Sequence, residues 1–198
     1  MLTATPASAR ALPRIDSLNE TLTGQVLLAV CASAFVAVCA HVSFPLPFTP
    51  VPLTFSDFAV ILLGLALGPR TAFAALVLYL AEGASGLPVF SPTGPGGIAQ
   101  LLGPTGGFLL AYPAAAALAG YLRKAFSSFS SRYLASLVAA AAGSALLMIA
   151  GLVWFGFLLH LSPRTAFLHA TAPFLPGQVI KVLSAAGIYT TLARWRQR

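Results

Sequence analysis

Apolar residues run in blocks along this chain, divided by clusters of Pro, Gly and Arg. The blocks span about Thr23 to Val42, Phe55 to Leu67, Thr71 to Ala84, Gly106 to Leu122, Tyr133 to Leu161 and Pro176 to Ala193. A helix that crosses lipid needs about 20 residues, roughly 17–25. The first, fourth, fifth and sixth blocks meet that length. The second and third fall short and are parted by Gly68-Pro69-Arg70. They read as one broken span or as two short helices leaning inside a bundle. The pattern predicts an all-α integral membrane protein of six transmembrane helices. A single membrane domain over 23–198 follows a polar N-terminal tail, 1–22.

Composition strengthens that reading. The chain has 198 residues, of which 58% are hydrophobic and 8% charged, with a mean hydropathy of +0.89. A soluble domain carries about 25% charged residues, so this chain could not cover a water-facing surface. That excludes a soluble enzyme, a nucleic-acid-binding domain and a disordered chain. The implied partner is a lipid bilayer, and the net charge of +7 fits basic loops beside headgroups rather than nucleic acid. With six helices and both termini cytoplasmic, one face holds Arg10, Arg14, Arg70, Arg123, Lys124, Arg132, Arg194, Arg196 and Arg198, nine of the eleven basic residues. Such asymmetry is expected of a multi-pass protein of the cytoplasmic membrane. Merging the second and third blocks would put the C-terminal Arg cluster outside, so two spans are preferred. Met1 to Glu20 is too polar for a secretory signal. Cys31 and Cys39 stand about 12 Å apart along one helix, too far for a disulfide.

The two long loops on the other side are of a different kind. His41–Thr54 has four prolines and no charge, and 83–105 is dense in Gly and Pro. Both are apolar and neither is expected to be helical. They are expected to fold over the outer end of the bundle as a cap on a substrate cavity, the plainer alternative being a compact connector. Sites for catalysis are absent: there is no Walker A sequence, no His-Glu-x-x-His and no Cys-x-x-Cys. His41, His160 and His169 are scattered. The sequence therefore predicts no enzyme, no cofactor and no metal, and any pumping must draw on a gradient or a partner.

Few ionisable residues fall within the apolar blocks, so each carries information. Asp57 follows Ser56 at a helix start and reads as an N-terminal cap. Glu82 either holds the second loop or lines a cavity. Lys181 lies about one turn into the last block, where it must snorkel or meet an anion. Gln178, three residues earlier, shares its helix face, and the two together suit a small amphipathic anion with an amide-like group. Small residues at Ala29, Ser33 and Ala37 allow close approach of another helix, within the bundle or from a separate membrane protein. Ala116-x-x-x-Gly120 and Ala139-x-x-x-Gly143 read as internal packing.

Several motifs together resemble one family. They are Phe44-Pro45-Leu46-Pro47-Phe48-Thr49-Pro50-Val51-Pro52, Leu63-Gly64-Leu65-Ala66-Leu67-Gly68-Pro69-Arg70 and Tyr79-Leu80-Ala81-Glu82-Gly83-Ala84-Ser85-Gly86-Leu87-Pro88-Val89-Phe90, with Leu102-Gly103-Pro104-Thr105-Gly106-Gly107-Phe108 and Pro173-Phe174-Leu175-Pro176-Gly177-Gln178-Val179-Ile180-Lys181. In these the chain resembles the BioY family, the biotin-specific substrate-binding (S) components of energy-coupling factor (ECF) transporters. The resemblance covers Thr23 to the end. It implies a biotin site near the outer face and a partner module of one transmembrane coupling protein and two ATPase subunits, although some members act alone. It implies that Ala29, Ser33 and Ala37 touch the coupling protein. The ring system of biotin would sit among Phe48, Val51, Tyr79 and Phe90, its ureido edge on Gln178, Gln100 or loop backbone, and its carboxylate on Lys181. Two positions depart from the pattern. Gln178 stands where many members have aspartate, and Pro95 where some have asparagine, which leaves Thr93 or Gln100 to supply the contact. The departures keep open an S component for another small carboxylate-bearing vitamin, beside a solitary biotin carrier.

Overall fold

The structure is a computed structural model and describes residues 21–195. The tail expected over 1–22 lies almost wholly outside the described residues, as do Arg10, Arg14, Arg196 and Arg198. The first of the described helices, α1 (Leu22–His41), opens at Thr21, whose hydroxyl accepts a hydrogen bond from the Gly24 amide at 3.1 Å. That contact satisfies one of the amides a helix start leaves unpaired. Then come two strands, β1 (Ser43–Leu46) and β2 (Thr49–Thr54), and the helices α2 (Ser56–Leu67), α3 (Pro69–Ala84), α4 (Gly97–Leu102), α5 (Gly106–Ala125), α6 (Arg132–Leu158), α7 (Pro163–Ala170) and α8 (Leu175–Trp195). Short 3-10 turns at Phe126–Ser128 and Ala172–Phe174 complete the order. The protein is mostly helical, and α1, α2, α3, α5, α6 and α8 coincide with the six apolar blocks. Of these, α1 and α6 are long and apolar enough by themselves to cross a membrane.

Two expectations about the loops need correction. The proline-rich segment is not irregular, and the all-α expectation misses it. It forms an antiparallel ribbon pairing Ser43 with Thr54, Phe44 with Leu53 and Leu46 with Thr49, with an irregularity between Phe44 and Leu46. In a two-stranded ribbon both strands are edges, so prolines remove few ladder bonds. The second loop is also partly helical, because 97–102 forms α4.

Between the second and third blocks the chain makes a sharp corner. Gly68 has φ 79° and its amide bonds to the Gly64 carbonyl at 3.2 Å, a conformation that glycine adopts without steric cost. Pro69 then starts α3, with its ring pre-set for the first helical turn. The two blocks are thus two separate helices.

The centre of the bundle is α5, which packs against α2, α3 and α6. Small residues make this possible. A β-carbon on Gly64 would lie 2.4 Å from the Ala116 carbonyl oxygen, one on Gly120 2.6 Å from that of Gly64, and one on Gly143 2.8 Å from that of Ala115. The two small-residue motifs of α5 and α6 therefore serve internal packing, as expected. The stripe on α1 is turned inward at its middle residue. Ser33 is fully buried and donates to the Glu82 carboxylate of α3. Ala29 and Ala37 are half-buried beside it.

The last helix is apolar on the outside and polar on the inside. It buries Gln178, Lys181 and Thr190 while exposing Val179, Ile180, Leu183, Ile188 and Leu192. Water would select the reverse arrangement. Lipid selects this one, because polar groups are then met inside the bundle.

Candidate functional site

The hairpin lies over one end of the bundle, and beneath it is a small, partly open cavity. Each wall is placed by an element already described. Val51, Pro52 and Thr54 come from β2, Ser56 and Asp57 from the first turn of α2, Tyr79 from α3, Gln100 from α4, and Phe108, Leu109 and Tyr112 from α5. Phe108 fits because Gly151 opposite it has no side chain: a β-carbon there would fall 2.2 Å from the Phe108 ring. Phe90 sits likewise in a notch at Gly83 and meets Tyr79 edge-on, with ring centroids 5.4 Å apart. Tyr79 in turn stacks on Tyr112 at 6.2 Å. The result is an aromatic wall with polar tips.

The Tyr79 hydroxyl donates to the Val89 carbonyl at 3.1 Å, while that of Tyr112 joins a connected polar network. Lys181 of α8 is 8% exposed, and its ammonium lies 3.2 Å from Asp57 Oδ2. Tyr112 donates to Asp57 Oδ1 at 3.1 Å and lies 2.7 Å from the Ser56 hydroxyl, which lies 2.6 Å from that of Thr54. The charged pair is overall neutral, which is how two buried charges are tolerated. Asp57 lines the cavity and Lys181 stands behind it. On the other side, Gln100 holds the Gly-rich loop closed. Its Oε1 accepts from the Gly96 amide at 3.1 Å and its Nε2 donates to the Ser91 carbonyl at 3.5 Å. The loop passes so close that a β-carbon on Gly94 would fall 2.7 Å from the Gln100 amide carbon. Trp154 of α6 donates to the Gly103 carbonyl at 2.9 Å and fixes the far end of the same loop. Among the described residues no cluster of His, Cys, Asp or Glu could hold a metal.

The family model that matches is the BioY family, over residues 9–198. The chain belongs to the BioY family. It is 37% identical to a probable biotin transporter BioY of Pyrococcus horikoshii over 161 residues, which is 81% of this chain and 91% of that protein. It is 35% identical to the biotin transporter BioY of Thermotoga maritima over 170 residues, 86% of this chain and 96% of that one. In three dimensions it is similar to a crystal structure of the S-component for biotin from an ECF-type ABC transporter. The TM-score is 0.79 at 24% identity, over 93% of this chain and 95% of the other, a likeness of fold. A member of the BioY transporter family is a membrane protein, in keeping with the faces of α8.

The site residues expected of this family member divide into three groups. Val51, Tyr79 and Gln100 line the cavity, with Phe90 buried directly behind Tyr79. Lys181 reaches the cavity wall through Asp57. Phe48, Thr93 and Gln178 are elsewhere. Phe48 lies at the hairpin turn and is 53% exposed. Thr93 is exposed and bonds to the Ser91 hydroxyl at 2.8 Å. Gln178 is buried against α6, where its amide donates to the Ser144 hydroxyl at 2.9 Å and its Oε1 has no partner.

Asp57 overturns the capping reading. The helix start makes no side-chain cap bond, and the carboxylate points to Lys181 and Tyr112 instead. Its signal was present in the composition. An aspartate and a lysine that share an apolar chain's interior are each other's cheapest partners. Tyr112 and Ser56, within apolar blocks, and Ser91 and Thr105, in the second loop, also line the cavity and carried no signal of their own. Glu82 neither lines the cavity nor holds the loop through its carboxylate; its backbone carbonyl receives Ser85 Oγ at 2.7 Å.

Proposed function

We propose that the chain captures biotin beneath the hairpin and takes it up across the cytoplasmic membrane as the S component of an ECF-type transporter. The observation that carries this reading is the aromatic cavity with Asp57 in its wall and Lys181 paired behind it, in a chain of the BioY family. The apolar part, from Val51, Phe108, Met148 and Phe174, suits a fused ring system. Ser91, Gln100 and Thr105 offer donors and acceptors for a ureido group. The valerate carboxylate is received by Lys181, which shifts its ammonium from Asp57 toward the ligand. The ligand is thus bound through a rearranged charge pair rather than a free cation.

On this reading α1, α2, α3, α5, α6 and α8 are six membrane helices, the hairpin faces outward and both termini are cytoplasmic. The chain has no P-loop, so energy comes from partner subunits: one transmembrane coupling protein and two ATPases. The test is binding of labelled biotin to the purified full chain in mild detergent, with lipoate as competitor. Tight, saturable binding that excess lipoate leaves in place is expected. Absence of binding, or displacement by lipoate at equal concentration, overturns biotin as the ligand. Uptake by cells that make the chain alone, persisting after ATP depletion, overturns the ATPase partnership.

A further inference from the structure

At the end of the bundle away from the hairpin is a second, partly open cavity of about 260 Å³. The last turn of α5, the 3-10 turn after it, the first turns of α6 and the last turns of α8 surround it. Arg123, Arg132 and Tyr189 are among its lining residues. The Arg123 guanidinium lies over the Tyr189 ring, 5.4 Å from its centroid. Its Nε is buried and has no hydrogen-bond partner. A buried donor left without an acceptor is costly, and a guanidinium is a planar fork suited to phosphate oxygens.

No carboxylate among the described residues supplies the missing acceptor. The two acids among the described residues are engaged elsewhere, Asp57 with Lys181 and Glu82 with Ser33. Lys124 and Arg194, in the last turns of α5 and α8, add positive charge to the same end. Phe126 and Phe129 line the cavity and stack at 4.9 Å, and Phe129, with Tyr121 and Trp195 at the same end of the bundle, is exposed. Exposed aromatic rings gathered at a bundle end belong at headgroup level, where basic pockets between helices take anionic headgroups.

We propose that this cavity binds the phosphate of an anionic phospholipid from the adjacent leaflet, with Arg123 as its principal donor. The proposal rests on the chain being a membrane protein and is independent of what the hairpin cavity binds. It is tested by native mass spectrometry of the full chain in detergent, with added phosphatidylglycerol, phosphatidylcholine, inorganic phosphate or glycerol phosphate. Phosphatidylglycerol adducts are expected on the wild-type chain and phosphatidylcholine adducts are not. Arg123→Gln should lower phosphatidylglycerol occupancy about tenfold. Arg123→Lys, which keeps the charge without the fork, should fall between. Arg70→Gln, at the same end but outside the cavity, should leave it unchanged. Should Arg123→Gln not fold, the Lys variant decides, and occupancy equal to wild type then overturns the proposal. Equal binding of the two lipids also overturns it. Displacement of the lipid by inorganic phosphate or glycerol phosphate would show instead a site for soluble phosphate.

Discussion

Replacing Lys181 by methionine leaves the half-buried Asp57 carboxylate with the Tyr112 hydroxyl to meet it, and Asp57→Asn leaves the buried ammonium without its anion. At 3.2 Å and an effective dielectric of about 20, the two charges attract each other by about 5 kcal/mol. Much of that is offset by the cost of taking both out of water. What survives is an asymmetry: removing one partner of a buried pair costs about 3–5 kcal/mol, while replacing both costs little. Each single variant should therefore lower the thermal stability of the ligand-free protein in detergent, and Lys181→Met/Asp57→Asn should lie closer to wild type than either.

Ligand binding separates the pair's two members. A charge-assisted hydrogen bond contributes about 1.5–3 kcal/mol, so Lys181→Met should bind biotin about tenfold or more weakly. Asp57→Asn removes the competitor for the ammonium and should bind biotin at least as tightly as wild type, with a larger thermal shift on ligand addition. Biotin amide, which lacks the carboxylate, should bind Lys181→Met and wild type alike. Isothermal titration with both ligands checks this. Undiminished biotin affinity in Lys181→Met, or a double variant no more stable than the singles, would refute the ion-pair account.

Other contacts give further expectations. Gln100→Ala removes both bonds that hold the Gly-rich loop and should raise the biotin dissociation rate about tenfold, with faster amide exchange over 91–97. Trp154→Phe deletes the donor to the Gly103 carbonyl and should cost about 1 kcal/mol of stability, read as a lower unfolding midpoint with little change in affinity. Gly64→Val would drive a side chain into the Ala116 backbone. It should cost about 3 kcal/mol and show as loss of monodisperse protein on size exclusion, whereas Gly187→Ala, with open space around it, should be silent.

What the sequence made legible was whatever depends on local pattern or composition. Long apolar blocks have one solution in lipid, because each helix satisfies its own backbone, and α1, α5, α6 and α8 follow from that alone. The break at Gly68-Pro69 was readable because both residues constrain the backbone directly. The ribbon was not. Four prolines in 41–54 mask the strand signal, and only the pairing of two proline-tolerant edges reveals it. The site was legible in its inventory but not in its partnerships. Lys181 was singled out by its cost in lipid, yet Asp57 lies 124 positions away, and their meeting depends on how α2 leans on α8. Gln178 illustrates the same limit at short range. Three residues along a helix turn the side chain by about 60° around the axis, so one face is wide enough to border two neighbours. Lys181 turns to α2 and its carboxylate, and Gln178 turns to α6 and Ser144. Shared periodicity therefore limits which residues can meet a common surface, while the packing of neighbouring helices decides which of them do.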